Sequence, residues 1–262
     1  MTGPRRTPIG AALARMHPPV EDPEAALAEL RVTVDGVIVT NPGSMVRPDA
    51  RIVVQPRKEP RGVRKLGHAL DAFGIDVAGS VCVDLGACTG GFTMALLERG
   101  AARVFAVDIG FGQLLGSLQQ DPRVVNLERT NVSQVTPALL GTQPDVVVAD
   151  VIKLSLRDLG RQIADNGVPR PGTVLVGLVK PTAELGTGEL PDDAALAEAL
   201  GLAIEGLTAV GWTVRDSMRS EVVGTHGAIE FFVHAVWVGA PEETIGSTDD
   251  AGAGARAATG ST

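Results

Sequence analysis

Apolar runs of strand length, Ser80–Leu85, Arg103–Asp108, Val124–Leu127, Asp145–Val151 and Thr173–Val179, alternate with stretches of helical pattern. A strand that is apolar throughout is buried on both faces, and helices between successive strands are how a parallel sheet obtains that cover. The helical stretches include Gly91–Arg99, Gln113–Gln120 and a long one over about Asp192–Val210. Two further strands, Trp212–Arg219 and Glu230–Val238, follow one another with no helix between them. They are expected to pair as an antiparallel hairpin at the sheet edge, with Glu230 opening the edge strand. The predicted fold class is α/β, a Rossmann-like sheet of seven strands, largely parallel.

The text before this pattern is shorter and mixed. A helical piece from Asp22 to Leu30 precedes Val32–Val39, which reads as a hairpin turning at Asp35-Gly36; Asn41-Pro42-Gly43 is a second turn and Arg51–Gln55 a closing strand. Residues 1–56 are therefore expected to form a small α+β domain, 57–64 a polar linker, and 65–239 the large domain. The Gly-, Ala- and Ser-rich stretch 240–262 is expected to be disordered.

Hydrophobic residues make up 44% of the 262, enough for a sizeable core. A net charge of −8 opposes a general polyanion binder, and 3% aromatics with no Tyr oppose a site built on rows of stacking rings. A nucleic-acid contact would need a local patch. The dense run Arg57, Lys58, Arg61, Arg64 and Lys65, joined near the pocket by Lys153, is the candidate. Cys82 and Cys88 support neither a disulfide framework nor a metal site. The apolar run Ile9–Leu13 is too short for a signal peptide, and no stretch is suited to crossing a bilayer. A cytoplasmic protein is expected.

The first strand ends in the glycine loop Asp84-Leu85-Gly86-Ala87-Cys88-Thr89-Gly90-Gly91, which enters a helix at Phe92-Thr93. Glycine permits close backbone approach to a ligand at the carboxyl ends of parallel strands. The spacing is neither the dinucleotide fingerprint nor a phosphate-binding loop, which weakens a nicotinamide dehydrogenase reading. An acid ahead of the first glycine suits a ligand with a cationic amino-acid part, and S-adenosylmethionine fits. Asp108, ending the second strand, stands where an acid accepts both ribose hydroxyls of an adenosine.

These residues, together with Lys65-Leu66, Ala69–Gly74, Arg99–Val104, Val107–Leu114, Asp121–Val124, Glu128–Asn131, Leu178–Pro181 and Ile229–Phe231, resemble the TlyA-type, FtsJ-like ribose O-methyltransferases. In that family a small S4-type RNA-binding domain precedes the methyltransferase domain. The resemblance implies a catalytic set at Lys65, Asp150, Lys180 and Glu230. It also implies a cofactor site at Asp84, Gly86, Ala87, Thr89, Gly90, Gly91, Phe92, Asp108 and Asn131, and rRNA or a ribosomal subunit as partner. The chain departs from the family pattern at Ile152-Lys153, Thr182-Ala183, Gly186–Glu189 and Thr225–Ala228, and the cations and acids of its first sixty residues nearly cancel. A small specialised metabolite as hydroxyl acceptor, and a non-catalytic ligand-binding relative, are the alternatives.

Overall fold

The computed structural model describes residues 6–16, 19–39, 41–56, 60–224 and 227–240. The chain divides into two compact units, Met1–Pro60 and Arg61–Thr262.

In the first unit the strands Leu30–Val34, Val37–Ile38 and Ile52–Pro56 form an antiparallel sheet with Leu30–Val34 in the centre. The expected hairpin is present. Asp35 (φ 50°) and Gly36 (φ 85°) both adopt the left-handed conformation that a tight two-residue hairpin turn requires. Asp35 also accepts the Arg51 N–H at 2.9 Å, which ties the turn to the closing strand. The helix Pro23–Glu29 is capped by Asp22, whose carboxylate accepts the Ala25 N–H. Ile9, Leu13, Leu27, Val32 and Val46 form the core of this unit.

The second unit opens with helix α1 (Arg61–Phe73). Residues 61–64, expected in the linker, are its first turn, while 57–59 lie outside the described residues, as do 241–262 of the expected tail. The seven-stranded sheet contains β1 (Val81–Leu85), β2 (Arg103–Asp108), β3 (Val124–Glu128), β4 (Val146–Ala149), β5 (Val174–Val179), β6 (Trp212–Arg219) and β7 (Phe231–Trp237), in the order β6-β7-β5-β4-β1-β2-β3. Strands β1 to β5 are parallel, and β7 is antiparallel to both β5 and β6. The hairpin therefore forms, but β6 is the edge and β7 is inserted beside β5. Glu230 immediately precedes an interior strand rather than opening an edge strand.

Alternate residues of each strand serve two cores. Cys82, Val104, Ala106, Val146, Val148 and Val176 face α1 and α2 (Gly91–Glu98). Val83, Leu85, Phe105, Val147 and Leu175 face α3 (Leu156–Asp165) and a long helix, Asp193–Ala209, capped by Asp192. This two-sided burial is the physical basis of the continuous apolar runs. The stretch expected as a helix over Gln113–Gln120 is helical only at Gly116–Gln119. Glu128, at the end of β3, accepts the N–H groups of Gln113 and Leu114 and so holds the preceding residues as a loop.

Candidate active site

The carboxyl ends of β1, β2, β4 and β5 meet at one edge of the sheet. Asp84 on β1 is fully buried; Thr93 Oγ1 donates to its Oδ2 at 2.6 Å, and its Oδ1 has no partner among the described residues. Burial pushes this carboxyl up to about 7, against the Thr93 hydrogen bonds, with the Asp150 and Asp108 charges adding to the rise. Beyond Asp84 the chain turns at Gly86 (φ 87°), whose N–H donates to the Val107 carbonyl, as does that of Ala87. A side chain at Gly86 would lie 2.6 Å from the Asp150 carbonyl oxygen, and one at Gly90 (φ 94°) would strike Leu118 and Leu114. These glycines let the loop close tightly on its neighbours. Gly91 begins α2 and touches Gly62 of α1, where a Cβ on either would lie 2.9 Å from the other's Cα.

Asp108 accepts the N–H groups of Cys88 (2.8 Å) and Gly110 (2.6 Å), so its carboxylate pins the glycine loop to the loop after β2. Thr89 contributes its carbonyl to the Leu115 N–H. Phe92 is buried against Phe232 and so presents backbone, not its ring, to a ligand. Asn131 caps the short helical turn Val132–Gln134, accepting the Ser133 N–H, with its own N–H taken by Gln134. The unpartnered carboxylate oxygen of the buried Asp84, beside the glycine turn, fits a ligand carrying a cationic polar end. Asp84, Asp108 and the Gly86–Gly91 backbone would hold S-adenosylmethionine, which when bound supplies an electrophilic methyl group.

The second cluster is a set of four charges. Asp150 follows β4, and its N–H donates to the Leu85 carbonyl at 3.0 Å; Lys180 follows β5 and immediately precedes α4 (Pro181–Leu185). Glu230 precedes β7, and because β7 is antiparallel its start lies at the carboxyl end of the parallel strands, with Phe231 beside Val179. Lys65 comes from α1. Lys180 Nζ lies 2.5 Å from Asp150 Oδ1 and donates to the Val151 carbonyl at 3.0 Å. Lys65 Nζ lies 3.5 Å from Asp150 Oδ2 and 2.6 Å from Glu230 Oε2, the latter a charge contact not aligned as a hydrogen bond. All four expected catalytic residues are thus brought together. The Lys65 and Glu230 side chains are 9% and 8% exposed, whereas those of Lys180 and Asp150 are 18% and 27% exposed. The set therefore has a buried inner pair and a more exposed outer pair. Burial pushes the Asp150 carboxyl up, but the charges of Lys180 and Lys65 outweigh it and hold it below the usual carboxylate range.

Two supports escaped the sequence. Glu184 is buried on α4 and accepts the Leu156 N–H at 2.5 Å, joining the segment after Lys180 to the helix that follows the Asp150 loop. Its position four residues after Lys180, on the same side of a helix, was the available signal. Arg61 donates to the Val223 carbonyl and, at 3.4 Å, to that of Gly224. The dense basic run is consequently not a free patch: Lys65 is buried in ion pairs and Arg61 is engaged with backbone. Arg64 is exposed and has no acidic partner among the described residues, and Arg57 and Lys58 lie outside those residues.

The model of the FtsJ-like methyltransferases matches residues 59–236. The chain is 36% identical to the 16S/23S rRNA (cytidine-2'-O)-methyltransferase TlyA of Mycobacterium tuberculosis over 87% of its own length and 89% of the relative's. It is 33% identical to hemolysin A of Brachyspira hyodysenteriae, covering 78% and 88% of the two chains. A solved structure described as a hemolysin from Streptococcus thermophilus has a TM-score of 0.64 at 26% identity and covers 93% of this chain and 92% of that one. The chain belongs to the FtsJ-like methyltransferase family, in its TlyA (hemolysin A) group. It is an S-adenosylmethionine-dependent methyltransferase.

The titration of Asp84 offers a test of its place in the cofactor site. Because its pKa is raised in the folded protein, its contribution to stability is complete below the ordinary value of 3.8 and is lost as pH rises through about 7. Thermal stability should fall across that window, and Asp84→Asn should flatten the fall. A bound ammonium favours the carboxylate, so cofactor binding near pH 7 should release protons, read by calorimetry in buffers of different ionisation enthalpy. Proton release that persists in Asp84→Asn would assign it to another group.

Proposed function

We propose that the enzyme methylates a ribose 2′-hydroxyl of rRNA, with residues 1–56 as an S4-like RNA-binding domain. The observation that carries this reading is the convergence of Lys65, Asp150, Lys180 and Glu230 at the crevice, in a chain whose relative of 36% identity is an rRNA (cytidine-2'-O)-methyltransferase. The ribosome as acceptor implies a cytoplasmic site of action; no helix among the described residues is long and apolar enough to cross a membrane.

A hydroxyl is a weak nucleophile until its proton is removed. In this reading Lys180, as the neutral amine, accepts that proton as the oxygen–methyl bond forms. Asp150 orients the amine from 2.5 Å, and Lys65 shares the same carboxylate. Glu230 balances Lys65 in the interior, where a lone ammonium would be costly. Lys65 keeps positive potential near the oxygen as negative charge develops there.

Incubating ribosomal subunits with the enzyme and methyl-labelled cofactor should place label in rRNA as an alkali-resistant 2′-O-methyl nucleotide. A second reading, a small hydroxyl acceptor, is favoured by Ile152, which is 76% exposed in the loop after Asp150. Label in a culture metabolite and none in rRNA would select it. The salt dependence of subunit binding is a separate check. Arg64→Ala should lower the slope of log affinity against log salt by about one unit if Arg64 meets a phosphate. An unchanged slope would remove Arg64 from the RNA interface.

A further inference from the structure

The first turns of α1 present Arg61, Lys65 and His68 at spacings that share one helix face. All three grip the segment between β6 and β7 or its continuation. Arg61 donates to the carbonyls of Val223 and Gly224, Lys65 meets Glu230, and His68 Nε2 lies 3.0 Å from Glu221 Oε1. The segment is also tied to itself: the Gly224 N–H donates to the Ala228 carbonyl at 2.7 Å, and the Ser220 N–H to the Glu230 carbonyl at 2.8 Å. Gly224 lies directly against the Glu230 carboxylate, because a Cβ there would stand 2.6 Å from Oε1 and 2.7 Å from Cδ. The wall on one side of that carboxylate is therefore the backbone whose carbonyl Arg61 holds.

We propose that Arg61 is a positioning residue for Glu230: its guanidinium fixes the Val223–Gly224 backbone, which confines the Glu230 carboxylate at its contact with Lys65. The inference rests on the reading of these four charges as the catalytic set, and it removes Arg61 from the cations available to RNA. Geometry explains why arginine suits the position. A planar guanidinium reaches two successive carbonyls from one side chain, whereas a lysine ammonium is a compact point charge. Glycine at 224 leaves the carboxylate its place, since a Cβ there would stand 2.6 Å from Oε1 and press it away from the lysine.

The test uses the full chain and two readouts. In methyl transfer to the acceptor that wild type modifies, Arg61→Ala and Gly224→Ala should each lower kcat about tenfold, with cofactor Kd unchanged; this is a fraction of the roughly 10²- to 10⁴-fold effect of a positioned acid–base group. Arg61→Lys should recover part of the loss. The salt slope of subunit binding should be the same in Arg61→Ala as in wild type. The second readout needs no acceptor. The 13C carboxyl resonance of Glu230, assigned by its loss in Glu230→Gln, should move in both Arg61→Ala and Gly224→Ala and stay in place in Arg64→Ala. If Arg61→Ala leaves kcat and the Glu230 resonance unchanged while lowering the salt slope, Arg61 is a phosphate contact and the proposal is overturned. A Glu230 resonance that stays in place in Arg61→Ala overturns it whatever the acceptor proves to be. Absence of label in rRNA with a shifted resonance overturns only the choice of acceptor.

Discussion

Lys180→Ala should lower the rate of methyl transfer by roughly a hundredfold or more, the scale on which a positioned acid–base group acts. Single-turnover transfer from labelled cofactor measures it. Cofactor affinity should stay within about twofold, because Lys180 contacts Asp150 and the Val151 carbonyl rather than the glycine loop. Lys180→Arg should not restore the rate: an arginine keeps the charge but cannot be deprotonated in proteins. The inner lysine should behave differently. Lys65→Ala leaves Glu230 buried without its cation and is expected to cost about 3–5 kcal/mol of stability, so its loss of activity should come with a lowered unfolding midpoint. A Lys180→Ala enzyme with full activity would leave Lys180 no part in proton removal.

Much of the large domain was legible because its strands are buried on both faces, and the apolar runs at β1, β2 and β5 match the observed strands to within a residue. The place of β7 was not. A hairpin at a sheet edge and one whose second strand inserts beside β5 share the same local pattern, and the difference lies in pairing between strands far apart in sequence. The missing helical turns before Gly116 have a similar origin, since the carboxylate of Glu128 captures Gln113 and Leu114 from a neighbouring strand. At the site, the glycine loop could be read from its own residues. The four charges could not: on solvent statistics Lys65 reads as a surface lysine, and only the resemblance joined it to Asp150, Lys180 and Glu230. The same blindness put Arg61 in a basic patch, because charge along a sequence does not tell which cations are already bonded. Phe92 and Asn131 have roles visible only in three dimensions, one in the core and one as a helix cap.

Gly86→Ala should strongly damage both stability and the site. The residue holds φ at 87°, where an L side chain costs about 1–2 kcal/mol, and its Cβ would lie 2.6 Å from the Asp150 carbonyl oxygen and 3.2 Å from the Val151 Cα. Both are backbone atoms, so the overlap cannot be relieved by a rotamer change and adds a further ~1–3 kcal/mol of overpacking. Relief would require the end of β4 to move, and that end carries Asp150, the carboxylate shared by both lysines. Cofactor binding and methyl transfer should therefore fall together with stability. Gly141→Ala separates the two costs, because Gly141 has φ 70° with nothing within 4 Å of an added Cβ. It should show the conformational cost alone, with activity retained. Urea unfolding and cofactor calorimetry on both variants decide the matter. Equal destabilisation in the two, with cofactor affinity unchanged in Gly86→Ala, would mean that the β4 end yields without cost and that the glycine is there for its backbone angle alone.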